Sequence, residues 1–174
     1  MQKNLIAYFS RKGNNYVGGS VVNLPVGNTE VMAKTIQSIT KGDLFEIQAA
    51  HSYSDDYQKC TEEAQRELRE NARPKLTDYI PDMDPYDTVF VGFPNWWGTM
   101  PMAVFTFLEE YDFAEKTIVP FCTHEGSGMG RSESDIKKLC PRATVLKGLA
   151  MHGTYVSEAT DKIIQWLDKE VDLK

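Results

Sequence analysis

Short apolar runs along this chain alternate with segments whose apolar residues recur every three or four positions. Lys3 to Phe9 contains the run Leu5-Ile6-Ala7-Tyr8-Phe9 and reads as a first strand. Asp43 to Gln48, Asp87 to Phe93, Thr117 to Cys122 and Thr144-Val145-Leu146 supply four more. The third run is continuously apolar, as a central parallel strand buried on both faces should be. Between the strands lie helical patterns. One spans about 28–40, with Met32, Ala33, Ile36 and Ile39, and stops near Gly42. A second places Tyr57, Cys60, Ala64, Leu68 and Ala72 on one face, before Pro74. A third starts at Pro101 and buries Ala103, Val104, Phe107 and Leu108. A fourth opens on Ser132-x-x-Asp135, which resembles a capping box, uses Ile136, Leu139 and Cys140, and ends at Pro141. The last spans about 157–170, with Ile163, Ile164, Trp166, Leu167 and Val171.

Five alternations of strand and helix predict a parallel sheet with helices on both faces and right-handed crossovers. The expected fold is a three-layer α/β sandwich, one domain over residues 1–174 by its length. In such a sheet a ligand sits outside the carboxyl ends of the strands, where strand order reverses. The unusual loops here follow strands one, three and four. In a 2-1-3-4-5 order those strands are neighbours, and their loops converge on one crevice.

The first loop carries Ser10 and Arg11, then a long Gly- and Asn-rich connection to Gly27-Asn28-Thr29. Within the connection Ser20 to Leu24 is a short edge strand or a hairpin arm. The free N–H groups and positive dipole end of the helix that follows favour an anion. An ordinary N-cap at Asn28 or Thr29, with Gly27 as a turn residue, explains the same letters equally well. The second loop is Pro94-Asn95-Trp96-Trp97-Gly98, whose indoles suit a flat heterocycle as well as a core. The third is Thr123-His124-Glu125-Gly126-Ser127-Gly128-Met129-Gly130, whose glycines let main-chain groups approach a ligand. In that loop His124 alone reads as a surface histidine, and Glu125 as a solvated carboxylate.

Charge and cysteine usage narrow the function classes. A net charge of -6 and a pI near 5.1 argue against nucleic acid or an anionic membrane as partner. No stretch is long and apolar enough to span a bilayer, and Met1-Gln2-Lys3-Asn4 leads into a strand without a signal-peptide cleavage site. Cys60, Cys122 and Cys140 are odd in number and widely spaced, which suggests reduced thiols, a cytoplasmic location and no structural zinc.

Tyr8-Phe9-Ser10-Arg11 with Gly27-Asn28-Thr29 resembles the phosphate loop of flavodoxins, S-x-T-G-N-T, interrupted by an insertion. The Asn95-Trp96-Trp97-Gly98 and Thr123 to Ser127 loops and the alternation over nearly the whole chain are similar to a flavodoxin branch common in bacteria. The resemblance implies non-covalent FMN. Ser10, Arg11, Gly27, Asn28 and Thr29 would hold its phosphate. Trp96 or Trp97, beside Pro94 and Asn95, would stack on the isoalloxazine ring. Main-chain groups of Thr123, His124, Gly126 and Ser127 would meet its pyrimidine edge. Gly98 would turn its peptide at low steric cost and offer a carbonyl to ring N5. The implied role is a low-potential one-electron carrier between redox partner proteins, as a monomer and with no catalytic acid, base or nucleophile. An FMN-dependent NAD(P)H:quinone or flavin reductase is the alternative, and a flavin-free domain of the same fold is a third reading. The remainder of 12–26 would cover the phosphate or meet a partner.

Overall fold

Five apolar runs become the strands of one parallel sheet in this computed structural model, which describes residues 3–171. In chain order the elements are β1 (Lys3–Tyr8), β2 (Gly13–Val17), β3 (Ser20–Leu24), α1 (Asn28–Thr40), β4 (Asp43–Glu46), α2 (Tyr57–Arg69) and β5 (Tyr86–Pro94). Then follow α3 (Met102–Glu110), β6 (Thr117–His124), α4 (Ser132–Leu139), β7 (Thr144–Val145), β8 (Leu149–His152), a 3₁₀ turn (Gly153–Glu158) and α5 (Thr160–Glu170). The order across the sheet is β4-β1-β5-β6-β7, with β8 also beside β6, and every pairing is parallel. With β7 and β8 taken as one edge, this is the expected 2-1-3-4-5 order.

The strands are apolar on both faces because both faces are covered. Leu5, Ala7 and Phe9 of the first run share a core with Phe107 and Leu108 of α3 and Ile136 of α4. The alternate residues Ile6 and Tyr8 face Met32, Ala33 and Ile36 of α1 and Ile163, Trp166 and Leu167 of α5. Gly92 interrupts β5 for a packing reason: a Cβ there would lie 2.1 Å from the Phe121 ring. No helix among the described residues is long and apolar enough to cross a membrane.

Several boundaries differ from the sequence pattern, each for a local reason. The edge strand is broken: between the pairs Ile118–Val145 and Phe121–Leu149, three residues oppose two. The Gly148 N–H turns away to Glu133 Oε1 (2.8 Å), and the Lys147 carbonyl accepts from Trp166 Nε1 (3.0 Å). Pairing then resumes as β8, which the apolar pattern does not reveal. The second strand ends at Glu46, two residues early. The third and fourth extend beyond the apolar runs, to Pro94 and His124. Helix α1 ends on Lys41 at φ 58°, not on Gly42. Gly42 instead leaves room for Ile6 and Asn4. Helix α2 stops at Arg69, and Asn71 leaves helical geometry at φ 50°, so Ala72 lies outside it. Ser132 and Asp135 form no capping box: Ser132 Oγ donates to the Met129 carbonyl (2.6 Å), and the Asp135 carboxylate is taken by the Thr99 hydroxyl and Arg131. The last helix begins at Thr160, after the 3₁₀ turn.

The long connection after β1 is a hairpin. Strands β2 and β3 pair antiparallel from Gly13–Leu24 to Val17–Ser20, outside the main sheet. Gly18 and Gly19 join them at φ 62° and 94°, positive values that a tight two-residue turn demands.

Candidate functional site

Strands β1, β5 and β6 are adjacent and parallel, so their following loops leave from one rim. They enclose a cleft of about 320 Å³.

The first loop is spliced across the hairpin. A Cβ on Gly27 would lie 2.2 Å from Ser10 Oγ and 2.5 Å from the Arg11 carbonyl oxygen, so this glycine permits the contact that closes the stem. The Glu30 N–H donates to Ser10 Oγ (3.1 Å), and the Val31 N–H to the Gly27 carbonyl (3.2 Å). The N–H groups of Asn28 and Thr29 and the Asn28 side-chain amide have no partner among the described residues. Thr29 and Thr123 share a buried hydroxyl hydrogen bond of 2.8 Å, which pins the start of α1 to the end of β6. The Arg11 guanidinium donates to the carbonyls of Asn14 (3.0 Å), Ser54 (2.9 Å) and Asp55 (3.2 Å). Its hydrogen bonding is therefore largely devoted to chain structure.

The second loop is a tight turn. Trp96 and Thr99 exchange backbone hydrogen bonds of 2.9 and 3.4 Å, with Trp97 at φ 56° and Gly98 at φ 85° between them. Positive φ is unusual for a bulky residue and sets the direction of the Trp97 side chain. Its Nε1–H donates to the Thr61 carbonyl of α2 (2.8 Å), and the residue remains 47% exposed. Trp96 stands edge-to-face with Phe9 and Tyr53, at centroid distances of 5.1 and 5.2 Å. Asn95 ties the second loop to the third: its Oδ1 accepts from Gly98 N–H (2.9 Å) and its Nδ2 donates to the Gly128 carbonyl (2.8 Å).

In the third loop His124 Nδ1 accepts from the Gly126 N–H (2.9 Å), and its ring lies 5.7 Å from that of His152. Burial, and then the neighbouring His152, hold the His124 pKa below the ordinary histidine value. Beneath the loop, burial pushes the Cys122 thiol up to about 12, so it stays protonated.

Among the expected residues, Arg11, Asn28, Thr29, Pro94, Asn95, Trp96, Thr123, His124 and Ser127 line this one cleft. Ser10, Gly27, Gly98 and Gly126 shape the loops without lining it. The placement of Trp97 is one refinement: its turn sets the indole against α2, where it lines an adjoining pocket that shares Arg11, Asn15, Tyr57, Asn95 and Trp96 with the cleft. The expected freedom of the Gly98 peptide is another, since its N–H is held by Asn95 and its carbonyl by the Arg131 N–H (2.9 Å). Glu125 is a third. It is not solvated: Oε2 accepts from Gly18 N–H (3.2 Å) and lies 3.4 Å from His152 Nε2, while Oε1 is buried without a partner among the described residues. Sequence reasoning also missed Asn15, Tyr16 and Tyr57 on the cleft wall. The Gly18-Gly19 pair between β-prone runs was the available signal that the insertion forms an ordered arm.

These groups suit a flat ligand with one anionic end. Unpaired N–H donors at a helix N-terminus could hold a phosphate. Trp96, Tyr16 and Tyr57 give the rest of the cleft an aromatic lining. A parallel sheet in 2-1-3-4-5 order with a cleft at its reversal point defines a flavodoxin-like fold. The flavodoxin family model matches residues 3–170, and the chain belongs to that family. A candidate flavoprotein from Bacteroides eggerthii has a similar structure, with 29% identity, 97% of each chain covered and a TM-score of 0.76. A flavoprotein from Lactobacillus acidophilus, solved in complex with FMN, is 22% identical over 93% of this chain and 98% of its own, with a TM-score of 0.64. Oxidised flavodoxin 2 from Bacillus cereus is 18% identical over 97% and 99%, with a TM-score of 0.51. These last two likenesses speak to the fold alone. No curated protein sequence matches the chain.

Proposed function

We propose that this protein binds FMN without a covalent bond and carries electrons one at a time between redox enzymes. The observation that carries the reading is the meeting of three loops and the N-terminus of α1 at one aromatic-lined cleft. Membership of the flavodoxin family supports the choice of cofactor, and the Lactobacillus acidophilus protein of the same fold was solved with FMN.

When bound, FMN supplies the redox chemistry, taking up and releasing electrons at its ring. The protein holds and tunes it. The N–H groups of Asn28 and Thr29 and the Asn28 amide hold the phosphate. Ser10 accepts from Glu30 and keeps its own hydroxyl proton to donate to the same anion. Trp96, braced by Phe9 and Tyr53, offers the aromatic surface from the sheet rim. Main-chain groups from Thr123 to Ser127 meet the pyrimidine edge, except the Gly126 N–H, which His124 occupies. The acidic chain disfavours added negative charge on the ring and so lowers its potential. In this reading a reductase and an acceptor protein dock in turn on a cytoplasmic monomer, with no nucleic acid or membrane involved.

Anaerobic reductive titration of the FMN-loaded protein tests the role. A carrier takes up its electrons in two separated one-electron steps. A single two-electron step, with steady NAD(P)H oxidation by quinone and no added reductase, would establish a reductase instead. A colourless protein that takes up no FMN would make it a non-redox domain of this fold.

A further inference from the structure

We propose that Tyr16, carried by the inserted hairpin, contacts the flavin ring. The inference rests on the FMN reading and adds to it a contact from outside the main sheet. Tyr16 and its neighbour Asn15 line the same cleft as Asn28, Trp96 and Thr123. The arm that carries Tyr16 is held in place from three directions. At its stem Arg11 bonds the Asn14, Ser54 and Asp55 carbonyls, and Asn15 Nδ2 donates to the Arg11 carbonyl (2.9 Å). At its tip Gly18 N–H donates to Glu125 Oε2 (3.2 Å). On its flank the Tyr16 ring stacks on Tyr57 of α2, with centroids 6.3 Å apart and planes at 28°.

Yet the ring so placed is left uncovered. Tyr16 is 43% exposed, its hydroxyl has no partner among the described residues, and its cross-strand partner Val21 is 52% exposed. A two-stranded hairpin has little stability of its own in water. Several long-range bonds thus hold an exposed aromatic face at the edge of a cleft, where a flat heteroaromatic ring would cover it. Offset stacking of that kind adds to what area burial alone contributes.

The test compares FMN and riboflavin binding by fluorescence titration of the apoprotein. Tyr16→Ala should weaken both ligands by the same factor, up to about tenfold, because the lost contact is at the ring and not the phosphate. Emission from the bound flavin should rise, and Tyr16→Phe and Tyr16→Trp should restore wild-type affinity. Val21→Ala, on the same hairpin, should leave affinity unchanged. Unchanged affinity in Tyr16→Ala would overturn the proposal and leave the FMN reading intact. Equal weakening by Val21→Ala would overturn it too, by showing that the hairpin acts only as a support. Failure of the wild-type apoprotein to bind FMN would bring down both.

Discussion

The cleft has two walls built in different ways. The rim wall grows out of the sheet: Phe9, Phe93 and Cys122 are buried at the ends of β1, β5 and β6, and the loops above them are linked by Thr29–Thr123 and Asn95–Gly128. The arm wall is a two-stranded hairpin with Tyr16 and Val21 exposed, held by the Arg11 bonds, one tip contact and one ring pair. The first wall is a consequence of folding, because its loops cannot move without disturbing close-packed side chains. The second is held to that frame by a few polar and ring contacts, the kind that a fluctuation can open while the core stays folded. A binding site made this way joins a rigid donor set to a separable cover.

Substitutions in the two walls should therefore separate stability from binding. The largest effect is expected from Phe93→Ala, beneath the second loop. It should cost about 3–5 kcal/mol in denaturant unfolding and weaken FMN binding with it. Gly27→Ala comes next. Its methyl group would press on Ser10 Oγ and on the Arg11 backbone, and backbone cannot step aside cheaply. Overpacking of this kind costs about 1–3 kcal/mol, and FMN should lose more affinity than riboflavin because the damage is at the phosphate end. A smaller effect comes with pH. His124 is held below its ordinary value, so the unfolded chain takes up the proton first as the solution is acidified. Stability should hold above about pH 6.5 and fall below it, and His124→Asn should flatten that slope in thermal melts across the range. The smallest change in stability is expected from Glu125→Ala. Losing the Gly18 contact should leave Tm almost unchanged while tryptic cleavage after Lys12 speeds up. A large fall in Tm would mean the arm is integral to the core.

The same contrast explains what could be read from the chain. Elements packed on both sides leave a periodic mark, so β1, β5, β6 and α1 follow from the positions of Leu5, Ile6, Val89, Phe90 and their like, whereas the sheet order is supposed from the fold that the chain resembles. The three loops can be placed at one rim once that order is supposed. Side-chain direction within a loop leaves no such mark. Trp96 and Trp97 are adjacent identical letters, yet Trp96 lines the cleft while Trp97, at positive φ, turns its Nε1–H to α2 beside it. Glu125 looks solvated because Gly18, which it binds, is 107 residues away. Tyr16 reads as one tyrosine between Asn15 and Val17 in an insertion, since nothing periodic accompanies a residue that faces a cleft. Strand β8 was hidden by the break at Gly148, where Glu133 and Trp166 draw the backbone out of register.

The central claim is that donors at the start of α1 hold the phosphate of a flavin whose ring lies along the aromatic wall. Titration of the apoprotein with FMN and riboflavin in parallel tests it most directly. Hydrogen bonds to a charged group are each worth about 1.5–3 kcal/mol, so one FMN should bind per chain and riboflavin should bind more than about tenfold less tightly. Equal affinity for the two, or no uptake of either, would contradict it.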